Sequence, residues 1–60
     1  MDMNAIHDYA RRLRDTLGDK AEAEAAQKAA DCEKQGETEQ ARDWRRIQAA
    51  LKEMRGPHTS

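Results

Sequence analysis

The stretch that decides the fold runs from residue 18 to residue 36, GDKAEAEAAQKAADCEKQG. It starts and ends on glycine and holds no proline, no aromatic residue and no β-branched residue. Ala, Glu, Gln and Lys are strong helix formers, because they lose little side-chain freedom in a helix. Gly18 and Gly36 can take the left-handed conformation that closes a helix. Asp19 followed by Glu22 is a D-x-x-E capping signal. Together these features predict a helix over residues 20–35. At the helical period, Ala21, Ala25, Ala29 and Cys32 fall within an arc of about 80°. Ala23, Ala26 and Ala30 form a second stripe of small residues beside the first. Glu24, Gln27, Lys28, Asp31, Lys34 and Gln35 take the remaining side, with Glu24 and Lys28 spaced as a favourable i,i+4 pair.

The flanking segments carry the large side chains. Before Gly18, Ile6, Ala10, Leu13 and Leu17 recur on one helical face, with Tyr9 beside it. This predicts a first helix over about residues 4–17, capped by Asp2 or Asn4. After Gly36, Trp44, Ile47, Leu51 and Met54 recur at spacings of 3, 4 and 3, with Ala41 and Ala50 alongside. The third helix is expected over residues 38–55, with Thr38 as N-cap and Gly56-Pro57 as its stop. Helices rich in large residues on either side of an Ala-lined helix pack closely without voids. The expected fold is all-α, a compact three-helix bundle with short Gly-containing turns. Residues 1–56 form its single domain and residues 57–60 a flexible C-terminal tail.

Length and composition narrow the function. A chain of 60 residues buries only about 60% of its unfolded surface, too little for a doubly wound sheet or a deep two-walled cleft. Eleven Lys and Arg stand against twelve Asp and Glu. No part carries a large excess: three Arg and three Asp over 1–18, three Lys and five acids over 19–36, five bases and four acids over 37–60. That weighs against a nucleic-acid binder, whose affinity comes from neutralising phosphates. The longest apolar run, Ala49-Ala50-Leu51, excludes a membrane-spanning helix and a signal peptide, so the sequence leads us to expect no membrane partner. One cysteine, Cys32, makes no intramolecular disulfide, and a secreted chain of this size normally needs staples. The expected location is cytoplasmic. One Cys with His7 and His58 far apart cannot complete a zinc site.

No catalytic pattern emerges. His7, Asp8 and Tyr9 are neighbours in sequence and point to different sides of a helix. No nucleophile has a histidine at helical spacing, and no glycine-rich phosphate loop is present. The expectation is a chain that is not an enzyme, with no catalytic, cofactor-binding or metal-binding residues and no cofactor. A helix-turn-helix centred on Gly36 also fails, because Arg42 stands where an apolar residue is required.

Two interaction surfaces remain. The second small stripe, Ala23, Ala26 and Ala30, together with Trp44, is a candidate surface for a protein partner or a second copy of the chain. Trp is enriched at interface hot spots, and small domains gain buried area by associating. The alternative is a nucleic-acid-associated accessory protein using two clusters, Arg11/Arg12/Arg14 and Arg42/Arg45/Arg46. Asp8 and Asp15 flank the first cluster and Glu39 and Asp43 the second, at spacings that favour local pairing.

Residues 21–51, with Lys34-Gln35-Gly36-Glu37 and Ala41 five residues past the glycine, resemble one tetratricopeptide-type helical hairpin. Ala stands in the first helix where that repeat carries large residues, so the resemblance implies hairpin geometry alone. The run Glu37-x-Glu39-x-Ala41-x-x-Trp44-Arg45-Arg46-Ile47-x-x-Ala50-Leu51 is similar to the C-terminal half of short uncharacterised bacterial all-helical proteins. It implies a bacterial origin and no particular activity.

Overall fold

The computed structural model describes residues 2–54. The expected end of the last helix at Arg55 and the tail 57–60 lie outside them. Three helices follow in order: α1 (Met3–Leu17), α2 (Lys20–Lys34) and α3 (Thr38–Met54). No strand occurs among the described residues. All three helix pairs are in contact, and the α2–α3 hairpin is the most extensive pairing. The expected all-α three-helix bundle is the fold observed.

The helix ends follow local chemistry, with two corrections to the expected caps. Asp2 caps α1, its carboxylate accepting the Ala5 N–H at 2.8 Å. Gly18 closes α1 at φ 63°, and its N–H reaches the Arg14 carbonyl at 2.7 Å. Asp19 does not cap α2. It sits in the right-handed helical region, and its side chain makes no capping bond. The reason is the short connection. Gly18 (φ 63°, ψ −132°) and Asp19 (φ −63°, ψ −21°) are the two central residues of a type II′ turn. Asp19 therefore already points along the helix, whereas a capping residue needs extended backbone.

At the far end, α2 stops one residue earlier than expected, at Lys34. The Glu37 N–H donates to the Cys32 carbonyl at 2.8 Å and the Gly36 N–H to the Glu33 carbonyl at 3.2 Å. With Gly36 at φ 78° this is a Schellman closure. That closure moves the start of α3. The Glu37 carbonyl accepts the Ala41 N–H at 2.9 Å, so Thr38 is the first helical residue and not the N-cap. Its hydroxyl lies 3.4 Å from the Gly36 carbonyl, as a donor.

The core joins all three helices. Ile6 and Ala10 of α1, Ala21 and Ala25 of α2, and Ile47, Ala50 and Leu51 of α3 form one buried cluster, with Leu13, Trp44 and Met54 packed against its edge. The Ala21/Ala25/Ala29/Cys32 stripe is buried throughout, as its spacing predicts. Ile6 and Ile47 are the largest side chains fully enclosed. Burying such a side chain stabilises by about 1.5–3 kcal/mol, so two isoleucines and a leucine carry much of the burial in a core otherwise built from alanine. Leu17 departs from the expected core face. It lies on the last turn of α1 and is 36% exposed.

Candidate interaction surfaces

Among the described residues, the exposed large apolar side chains, Met3, Tyr9 and Leu17, all lie on α1. Tyr9, Leu13 and Leu17 follow one another at intervals of four residues, so they line one side of the helix. With Arg12 and Thr16 they form a shallow open groove. Tyr9 is 40% exposed and Leu17 36%, while Leu13 is half-buried. Met3, on the first turn, is 56% exposed. The spacing of Leu13 and Leu17 alone assigned both to the core. Leu17 shares the angular position of buried Ile6 and Ala10, and it is open because it lies on the last turn of α1.

Trp44 lies half-buried where α1 meets α3. Its ring meets Tyr9 edge-on, with centroids 5.6 Å apart and planes at 85°. This is the favoured geometry for two aromatic quadrupoles. Trp44 is thus tied to the apolar strip of α1 by a direct contact.

The second alanine stripe is divided. Ala23 is exposed, while Ala26 and Ala30 are half-buried. Ala26, Ala30 and Glu33 stand at i, i+4 and i+7, on one face of α2. Glu33 receives Arg45 of α3 across the hairpin, Nη2 to Oε1 at 3.2 Å and Nε to Oε2 at 3.4 Å. Arg45 Nη1 also donates to Gln48 Oε1 at 3.1 Å. This side of α2 therefore borders the α2–α3 seam.

All six arginines of the two clusters are exposed. Arg45 is held by Glu33, and Arg14 Nη1 donates to the Met54 main-chain carbonyl at 3.0 Å. Arg11 and Arg14 share a groove with Asp15 and Asp19. Arg42 and Arg46 line another with Glu39 and Asp43. Each cluster is interleaved with carboxylates, as the sequence spacing indicated. On α2, Lys28 and Glu24 form the expected i,i+4 pair at 4.0 Å.

Cys32 is buried. Its thiol lies 3.9 Å from Gln40 Oε1. Burial pushes its pKa up, and the carboxylates of Glu37 and Asp31 add to the rise while Lys28 opposes it. The thiolate, which is the reactive form, is disfavoured there. His7 is exposed on α1. Among the described residues no group of His, Cys, Asp and Glu is placed to hold a metal ion. None of the described helices is long and apolar enough to cross a membrane. Comparison of the chain with protein-family models, with curated proteins and with solved structures found no match.

Proposed function

We propose that this chain is a small non-catalytic helical module that works by binding another protein. The observation that carries this reading is the open apolar strip Tyr9/Leu13/Leu17, joined to Trp44 through the aromatic contact. An apolar strip at helical spacing, rimmed by polar residues such as Arg12 and Thr16, suits the apolar face of an amphipathic helix. Ala23, at the outer edge of the second stripe, and half-buried Ala26 and Ala30 extend the candidate surface onto α2. The occupant is a partner protein or a second copy of the chain. Interleaved acids in both arginine clusters support a protein partner over nucleic acid. The single buried cysteine supports a reducing, cytoplasmic setting, and the resemblance of residues 37–51 to short bacterial helical proteins supports a bacterial one.

Site-directed photocross-linking tests the reading. A photoreactive residue placed at Tyr9 or Leu17 should yield a discrete adduct, whereas the same probe at Lys28, on the charged face of α2, should not. Leu17→Asp should abolish the adduct formed from position 9. Equal labelling from positions 9 and 28, or labelling unaffected by Leu17→Asp, would remove the strip as the binding surface.

A further inference from the structure

We infer that α1 is an exchangeable element, and that two copies of this chain can trade their first helices to form a domain-swapped dimer. The inference uses the buried face of α1 rather than its exposed strip, so it stands or fails apart from the proposed partner binding.

The α1–α2 connection consists of Gly18 and Asp19. Only one residue there lies outside the helical region. Asp19 is already helical at φ −63°, ψ −21°, and Gly18 alone breaks the run at φ 63°, ψ −132°. Even the Gly18 N–H makes the bond it would make in an uninterrupted helix, to the Arg14 carbonyl at 2.7 Å. Rotation of this one residue into the helical region joins α1 and α2 into a single helix from Met3 to Lys34, about 48 Å long at 1.5 Å per residue. Such a helix cannot fold back on its own hairpin.

The joined form recovers bonds that the turn forgoes. Helix ends leave their last carbonyls and first N–H groups without intrahelical partners. In the joined helix the carbonyls of Asp15, Thr16 and Leu17 accept from the N–H groups of Asp19, Lys20 and Ala21. In the turn, Ala21 instead donates to the Gly18 carbonyl at 3.0 Å, and the Asp19 side chain caps nothing. The core contacts of α1 are made by Ile6 and Ala10, with Leu13 at the edge. They re-form against the hairpin of the partner copy, as does the bond from Arg14 to the Met54 carbonyl. The hairpin that receives α1 is the largest interface in the molecule and stays intact.

The turn at Gly36 offers no such route. Gln35, Gly36 and Glu37 all lie between the helices, and the Schellman bonds hold them there. Gly18 is therefore the residue that sets monomer against exchanged dimer. A type II′ turn needs positive φ at this position, which glycine adopts without cost and an L-residue does not. A Cβ at position 18 would meet nothing within 4 Å. A substitution there therefore penalises the turn through the backbone alone.

Sedimentation equilibrium of the parent chain and three synthetic variants, from micromolar to millimolar protein, tests this. Gly18→Ala should double the mass at concentrations where the glycine chain is a monomer, with no loss of helical circular dichroism. The mirror-image alanine at position 18 favours positive φ and should stay monomeric. Adding Leu17→Glu to the Gly18→Ala chain charges the exposed strip and should leave the dimer in place. A Gly18→Ala chain that remains monomeric, or that stays unfolded at every concentration, overturns the exchange. So does a dimer that Leu17→Glu dissolves, because that dimer would belong to the strip.

Discussion

The guanidinium of Arg14 on α1 donates from Nη1 to the main-chain carbonyl of Met54 at 3.0 Å, so a side chain of the first helix closes the last turn of the third. The carbonyls at a helix C-terminus carry partial negative charge and lack intrahelical partners. Arg14→Ala should therefore cost a few tenths to about 1 kcal/mol at low salt, and less at high salt, where exposed charges are screened. Urea titrations at two salt concentrations measure it. A cost that does not change with salt would mean that the stem of Arg14 matters more than its charge.

Asp2 and Asp19 look alike in sequence and differ in structure. Asp2 accepts the Ala5 N–H, while Asp19 makes no capping bond. Asp2→Ala should lose about 0.5–2 kcal/mol, the usual cost of removing an N-cap, and Asp19→Ala should leave the stability almost unchanged. Thermal melts of the two variants against the parent chain decide the point. An equal loss in both would restore Asp19 as a cap.

Ile47 and Trp44 rank differently as anchors. Ile47 is 1% exposed at the centre of the core, whereas Trp44 is half-buried at its edge. Ile47→Ala should cost about 2–5 kcal/mol, comparable to the whole stability of a domain of this size, and should unfold much of the population. Trp44→Ala should be the milder change despite its larger volume. Helical circular dichroism through a thermal ramp gives both values. A variant at Trp44 that unfolds more readily than one at Ile47 would move the centre of the core.

Cys32 supplies a dependence on pH. Its folded pKa is raised above the ordinary 9.0 by burial and by Glu37 and Asp31. An unfolded chain therefore releases the thiol proton first as pH rises. The contribution of Cys32 to stability is full at neutral pH and declines as pH climbs above about 9. Modification by a thiol reagent at neutral pH should be slow in the folded chain and fast in denaturant. Equal rates in the two states would place the thiol at the surface.

Much of this was legible in the sequence because it is local. The periods of Ile6/Ala10, Ala21/Ala25/Ala29 and Ile47/Leu51 each define one helical face, and those faces are the core. Gly18 and Gly36 mark the turns because few other residues adopt positive φ. What the sequence hid depends on how helices meet. Whether Leu17 is covered depends on where the last turn of α1 falls against α2. Whether Ala26 and Ala30 are open depends on how α2 lies against its neighbouring helices, and both are half-buried. The caps at Asp19 and Thr38 failed for a related reason. Each turn is so short that its hydrogen bonds, rather than the residue before the helix, fix where the helix begins.

The buried residues among those described are alanine, isoleucine, leucine and one cysteine, with no polar or charged residue enclosed. Apolar contacts have no direction, so such an interior holds helices together without dictating which chain supplies them. The directional contacts sit at the rim: Tyr9 against Trp44, Arg14 on Met54 and Arg45 on Glu33. The edges of this small protein therefore fix how its helices lie against one another, while the interior supplies adhesion without register.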